Sequence, residues 1–228
     1  SFSMSEKTGN PDPRSRFNGT ADLYARYRPS YPPALIDWIV ETAGLPAGAR
    51  IADIGSGTGI STRLFAQRGY DILGIEPNDA MREKAEQKGG ARYATGEASA
   101  TGLADASVDL VTVAQAFHWF DAASALAEFR RILKPGGWCA TFWNMRGQSP
   151  LMAAYDRLLT EWSAEYGRLA HSDTLDVRVI LENPGVVDGI EQEFPNAQKL
   201  DRDGLSGRAW SSSYVLRGVT DPRGFDRA

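Results

Sequence analysis

The chain has one cysteine, Cys139, and two histidines, His118 and His171, in 228 residues. A single cysteine excludes an internal disulfide and a cysteine metal cluster, and so few histidines argue against a zinc site. No apolar run approaches the roughly 20 residues that a membrane-spanning helix needs. An excess of basic charge is missing too: 25 Lys and Arg stand against 29 Asp and Glu, a net charge of −4. That balance disfavours a general nucleic-acid or anionic-membrane binder. Internal repeats and low-complexity tracts are absent. The lack of a disulfide framework fits a cytoplasmic location. Ser1-Phe2-Ser3 before Met4 reads as a tag scar, and residues 5–16 are polar with Gly9, Pro11 and Pro13. Residues 1–16 are therefore expected to be a disordered tag or N-terminal segment, and residues 17–228 a single domain.

What is present centres on Ile51-Ala52-Asp53-Ile54-Gly55-Ser56-Gly57-Thr58-Gly59. Three glycines alternate with small residues after a short apolar strand that contains an acid. A helical pattern follows, with Ile60, Leu64 and Phe65 on one face. Strand, glycine turn and helix bring backbone N–H groups close to a nucleotide-like ligand. The spacing discriminates between ligands. The dinucleotide pattern Gly-x-Gly-x-x-Gly wants glycine where this chain has Ile60, and no Gly-Lys-Ser/Thr follows, which excludes a phosphate-gripping P-loop.

Around this loop the chain alternates strands and helices. Ala21–Arg28 and Ala34–Ala43 read as helices separated by Pro29–Pro33. Arg50–Ile54, Ile72–Ile75, Arg92–Thr95, Val108–Ala114 and Trp138–Trp143 read as strands. Asp79–Lys88 and Ala122–Leu133 read as the helices between them, and Pro135-Gly136-Gly137 as a turn. The rhythm predicts an α/β fold: a Rossmann-like, mostly parallel sheet with helices on both faces. Helical additions are expected at the N-terminus and after strand 5. Leu151–Tyr166 has a helical apolar stripe, and residues 171–189 read as helix and loop. Glu191–Leu200 can form an edge strand and Leu205–Ser211 a short helix. Leu216–Ala228 shows no period.

Several residues stand where such a fold does chemistry. Glu76 ends the second strand, seventeen residues after Gly59. A carboxylate there can accept from both hydroxyls of a ribose; capping of the next turn is the alternative. Met81 suits apolar cover for an adenine, and core packing explains it as well. Backbone N–H groups of Glu97 and Ala98 lie where a ring nitrogen would be read. Gln115, at the end of the fourth strand, can hold an amino-acid moiety. His118 beside Trp119 can act as a general base, orient an acceptor, or serve as a structural histidine. Arg28 offers a guanidinium fork for a carboxylate. Tyr24, Tyr31, His118, Trp119, Trp143 and Asn144, with the 150–215 insertion, form the expected acceptor pocket.

These segments resemble a class I S-adenosylmethionine-dependent methyltransferase of the methyltransferase type 11 group. Asp53–Gly59 resembles its first motif and Gly74-Ile75-Glu76-Pro77 its acidic second motif. Asp109–Phe120 and Tyr27-Arg28-Pro29-Ser30-Tyr31-Pro32 resemble the trans-aconitate methyltransferase-like subgroup, and Leu133–Gly137 resembles the turn before the fifth strand. The likeness covers about residues 17–145. It implies S-adenosylmethionine as donor and S-adenosylhomocysteine as product. The implied cofactor-binding set is Arg28, Asp53, Gly55, Gly57, Glu76, Pro77, Met81, Glu97, Ala98 and Gln115. Two departures stand out. Gly96-Glu97-Ala98-Ser99 lacks the acid that members often carry there. The final hairpin strand of the fold is also expected to be missing, which would leave a sheet edge unpaired.

The expected activity is methyl transfer to a small-molecule acceptor by in-line displacement, with oligomeric state open. A non-catalytic S-adenosylmethionine-binding module is the alternative. A nucleic-acid methyltransferase is disfavoured: Ala114-Gln115-Ala116-Phe117 replaces the Pro-Pro-Tyr segment of amino-directed base methylators, and Cys139 follows Trp138, not the proline that a cytosine-methylating nucleophile follows. A NAD-linked oxidoreductase is disfavoured by Ile60.

Overall fold

Five parallel strands form one sheet in the order β3-β2-β1-β4-β5. The computed structural model describes residues 20–147, 149–166, 178–212, 215 and 219–228; the expected tag segment, residues 1–16, lies outside them. Helix α1 spans Ala21–Tyr27 and α2 Pro33–Thr42. Pro33 opens α2 because its missing N–H would have no partner in a first turn anyway. β1 is Arg50–Ile54, α3 Ile60–Ala66, β2 Asp71–Ile75, α4 Asp79–Lys88 and β3 Arg92–Ala94. β4 is Val108–Ala114, α5 Ala122–Ile132 and β5 Leu133–Phe142. Asn78 caps α4 through Met81 N, and Asp121 caps α5 through Ser124 N, each at 2.9 Å.

The strands sort their side chains by parity. Ile51, Ile72 and Leu110 join Ile36 and Ile39 of α2 and Phe65 of α3 on one face. Ala52, Ile54, Val111 and Val113 join Ala125, Phe129 and Ile132 of α5 on the other. Burial of a side chain such as Phe65 or Phe129 stabilises the fold by about 1.5–3 kcal/mol. Between β1 and β4 the chain changes its direction of travel across the sheet, which opens a crevice at their carboxyl ends.

The structure departs from the sequence reading in three places. The turn at Pro135–Gly137 lies inside β5: Val108 pairs with Leu133 and Leu110 with Trp138, so Lys134–Gly137 bulges out. Pro135 has no N–H to donate, and Gly136 takes φ +78°. Glu191–Leu200 is no edge strand. It runs as an irregular strap whose single large aromatic, Phe194, packs on Trp38 at 5.7 Å, and Pro195 denies it a ladder donor. The tail holds a short helix, α9, Pro222–Arg227, capped by Asp221 through Gly224 N. Six residues are too few to show a period; Asp221 before a helix that opens on Pro222 is its only local start signal.

α6 (Pro150–Trp162), α7 (Arg178–Leu181) and α8 (Arg202–Trp210) complete the described helices. Tyr155, Leu159, Ala209 and Phe225 give the carboxyl-terminal helices their own core. Among the described residues no strand follows β5, which forms one edge of the sheet. No described helix is long and apolar enough to cross a membrane.

Candidate cofactor and acceptor site

The loop after β1 is bent by three left-handed glycines: Gly55 at φ +71°, Gly57 at +56° and Gly59 at +76°. Gly55 N and Ser56 N both donate to Ile75 O of β2, at 2.8 and 3.1 Å. A Cβ on Gly55 would stand 2.6 Å from the Ala116 Cβ and 3.1 Å from the Phe120 ring. Gly55→Ala combines that clash with a disfavoured backbone. It is expected to lower stability by about 2–4 kcal/mol, read by urea denaturation.

Asp53 braces the loop from a fully enclosed position. Its Oδ2 accepts from Ser61 Oγ at 2.7 Å and Thr62 Oγ1 at 2.6 Å, and its Oδ1 from Thr112 Oγ1 at 3.0 Å. Burial pushes its carboxyl above the usual range, and the three hydroxyls pull it part of the way back. These bonds tie the first turn of α3 to the sheet, so the residue positions the loop and presents no surface to a ligand.

Glu76, 7% exposed, stands at the end of β2. Its Oε2 accepts from Gly57 N at 2.7 Å and its Oε1 from Asn78 N at 2.8 Å. Each oxygen retains a second lone pair. Burial raises this carboxyl too, against the lowering effect of the two N–H groups and Arg82. Pro77 links Glu76 to the capping Asn78, and Met81 is buried near Gly57. Glu97 differs from expectation: its N–H donates to Ala100 O at 3.1 Å, so it is not available to read a base. Ala98 packs against the core on the α5 side of the sheet.

The sequence reading missed what holds that segment. Glu128 of α5 accepts from Thr101 N at 2.9 Å and Thr101 Oγ1 at 2.7 Å. Arg131 grips the same carboxylate with two nitrogens, each at 2.7 Å, and also donates to Leu103 O. The signal was a Glu-x-x-Arg pair on one helix face, which sequence alone does not tell from a solvated ion pair.

At the crevice, Tyr24, Arg28, Tyr31, Gly55, Gly57 and Gln115 surround a cavity of about 30 Å³, the room of one water molecule. Gln115 adopts φ +54°, a strained setting for a residue with a Cβ. Its N–H is tied to Phe142 O at 2.9 Å, and its Oε1 faces the Tyr31 hydroxyl at 3.5 Å. Burial raises the Tyr31 phenol well above its ordinary value, which makes it a neutral donor. Arg28 stacks over Tyr24 at 4.6 Å and donates to Ser212 Oγ at 3.2 Å. Arg28 Nε, Ser56 Oγ and Thr58 Oγ1 are buried without hydrogen-bond partners. Three orphaned polar atoms, a glycine cradle and a carboxylate with spare lone pairs fit a ligand that carries hydroxyls and an amino-acid end.

The expected acceptor residues divide. Tyr24 and Tyr31 line the crevice, whereas Trp143 and Asn144 line a larger groove beside β5 that Tyr31 also borders. His118 and Trp119, in a single 3-10 turn (Phe117–Trp119), stack at 4.6 Å and line neither.

A methyltransferase-domain family profile matches residues 52–141. A solved structure from Anaeromyxobacter dehalogenans, assigned by name to the type II methyltransferases, is 30% identical over 83% of this chain and 80% of that one, with a TM-score of 0.59. An uncharacterized methyltransferase of Mycobacterium tuberculosis is 41% identical over 134 residues, which are 58% of this chain and 53% of that protein. A ubiquinone biosynthesis O-methyltransferase of Acinetobacter baylyi is 32% identical over 148 residues, 59% of this chain and 62% of that protein. The chain spans about half the length of the curated relatives it matches. The parallel sheet with helices and a glycine loop after its first strand is a Rossmann-like α/β fold. The chain belongs to the class I S-adenosylmethionine-dependent methyltransferases. S-adenosylmethionine, with S-adenosylhomocysteine as product, is the cofactor that this family and fold imply.

Proposed function

We propose that the chain transfers a methyl group from S-adenosylmethionine to a small-molecule acceptor, within the trans-aconitate methyltransferase-like subgroup. We also propose that residues 17–228 work as one domain in the cytoplasm. The observation that carries the reading is the crevice itself: unpartnered buried polar atoms around left-handed glycines, next to a groove that shares the Tyr31 wall. When bound, the cofactor supplies a methyl carbon already activated by its sulfonium. The protein's part is then alignment and exclusion of water.

Glu76 would hold the ribose hydroxyls, Gly55 and Gly57 would admit the ligand against the backbone, and Arg28 with Gln115 would hold the amino-acid end. Tyr31, kept neutral, would donate a hydrogen bond at the boundary with the acceptor. His118 serves as a base only if its turn moves toward the crevice. The ubiquinone biosynthesis relative favours a small-molecule acceptor. A cytosine-methylating role is disfavoured further by Cys139, whose thiol burial pushes up to about 12, far from a thiolate at neutral pH.

Calorimetric titration tests the donor. Heat with S-adenosylmethionine and S-adenosylhomocysteine and none with NAD is expected; binding of NAD alone would overturn the reading. The crevice holds only about 30 Å³, and Tyr24 of α1 and the following Arg28 wall it, so ligand entry is expected to involve this segment. Amide exchange in residues 21–31 is therefore expected to slow when S-adenosylhomocysteine is added, and exchange unaffected by ligand would count against that route.

A further inference from the structure

Tyr93 is the middle residue of β3 and stands opposite Gly74 of β2 in the parallel register. A Cβ on Gly74 would lie 2.5 Å from Tyr93 Cδ1 and 2.9 Å from its Cε1, so the ring occupies the space that this glycine leaves open. A strand glycine marks such close approaches, and an aromatic ring from the next strand restores the contact it lacks. The far end of the same ring reaches the loop after β1. A Cβ on Gly59 would stand 2.7 Å from Tyr93 Cζ and would overlap the hydroxyl. Arg63 of α3 closes the arrangement: its Nη1 donates to Thr58 O at 2.8 Å and to the Tyr93 hydroxyl at 3.4 Å. The loop glycines therefore have separate neighbours. Gly55 packs on Ala116 and Phe120, and Gly59 makes room for Tyr93. Gly57 has open space, with Met81 Cε the nearest atom at 3.9 Å.

We infer that Tyr93 is a positioning residue of the donor site: its ring, wedged between Gly74 and Gly59, sets how the glycine loop stands against the end of β2. The inference rests on the methyltransferase reading and deepens it. The bond from Gly57 N to Glu76 Oε2, at 2.7 Å, joins the loop to the strand-end acid. The ring holds both sides of that bond. Gly74 lies two residues before Glu76, and Gly59 two residues after Gly57. Gly59 is also the N-cap of α3, so the same contact fixes where the first turn of the helix begins. Tyr93 itself lies outside the crevice. It acts through Gly57 and Glu76, the kind of support that keeps a binding group from standing an ångström out of place.

The test combines S-adenosylhomocysteine calorimetry with amide exchange of the ligand-free protein. Tyr93→Ala is expected to weaken binding by about tenfold or more, and Tyr93→Phe, which keeps the ring, to stay within about threefold of wild type. Tyr93→Leu is too short to reach Gly59 and should behave as the alanine variant does; it serves if that variant does not fold. A residue that only fills the sheet face would lower the urea midpoint and leave the affinity of the folded protein as it was, and that result overturns the inference. So does a phenylalanine variant as weak as the leucine one. Gly74 has no positive φ, so Gly74→Ala reports the contact without backbone strain. It is expected to cost about tenfold in affinity beside Tyr93 and under about threefold in the Tyr93→Ala background. There the one other close atom, Ser56 Oγ at 2.8 Å, has no hydrogen bond to lose and can turn aside. Equal losses in both backgrounds overturn the inference. In the ligand-free protein Gly59 N donates to Ser56 O at 2.9 Å and Arg63 N to Gly59 O at 3.1 Å. Both amides are expected to exchange about tenfold faster in Tyr93→Leu while those of α5 keep their rates; unchanged loop exchange overturns the inference. Wild type that binds no S-adenosylhomocysteine would sink the donor reading alone, since the exchange arm still decides whether the ring braces the loop.

Discussion

Glu128→Ala is expected to lower the unfolding free energy by about 3 kcal/mol at pH 7 in urea denaturation, more than most single substitutions. The variant strips two bonds from Thr101 and removes the carboxylate that Arg131 grips. Glu128 is 8% exposed, so Thr101 N–H would be left without its acceptor in a place that water reaches poorly. The Arg131 side chain is 38% exposed, so solvent screens the ion pair and its share is about 1 kcal/mol. The lost Thr101 bonds and the packing of the carboxyl stem account for the rest.

The pH dependence has a definite sign. Arg131, followed by the Thr101 groups, holds the Glu128 carboxyl down at about 2 from an ordinary 4.5. A lowered acid contributes stability that is complete above its unfolded value and is lost as the pH falls through its folded value. The wild type is therefore expected to lose this contribution between about pH 4.5 and 2. Glu128→Gln should remove that slope while it keeps one acceptor for Thr101. Identical acid profiles for wild type and Glu128→Gln would show that the pair does no more than a solvated one.

The parts of this molecule that a sequence can announce are those where one residue type is required at one place. Gly55, Gly57 and Gly59 were legible because each left-handed turn admits little else, and the place of Glu76 at the end of β2 because strand and acid coincide; its bond to Asn78 N is the turn-capping alternative that the sequence also allowed. β1, α4 and β4 fell on their expected residues because period, caps and glycine stops agreed. The strap was misread because Glu191–Leu200 has no period strong enough to decide between an extended irregular run and a strand. β5 was read short because a proline and two glycines look the same whether they form a turn or a bulge. Glu128 and the partition made by Tyr31 were invisible for a different reason: their partners lie far away in sequence, and only the packed sheet brings Thr101 to α5 and Tyr31 to Gln115. Asp53 was read as a ligand contact because the motif that contains it binds ligand. It is fully enclosed, with its oxygens turned to Ser61, Thr62 and Thr112.

Glu76→Gln is expected to weaken S-adenosylhomocysteine binding by about 1.5–3 kcal/mol, roughly tenfold to 150-fold, by calorimetry. The conservative variant is the informative one. Both carboxylate oxygens accept from backbone, Oε2 from Gly57 N and Oε1 from Asn78 N. An amide must turn its NH₂ toward one of those N–H groups, donor against donor, and either the glycine cradle or the Asn78 turn gives way. Stability moves much less, because burial raises this carboxyl in the folded state. A raised acid contributes stability that is complete below its unfolded value and declines as the pH rises through its folded value, so the ionised form opposes folding. Removal of its charge recovers part of what the broken N–H bond loses. Affinity carries the opposite sign, since the ionised form is the better acceptor for sugar hydroxyls: wild-type binding should weaken as acidification protonates Glu76. Asp53 is raised as well and titrates in the same direction, so the wild-type curve alone is ambiguous, and a flattened curve in Glu76→Gln assigns the proton. Wild-type affinity in both Glu76→Gln and Glu76→Ala would remove this residue from the site and leave the glycine cradle without its sugar anchor.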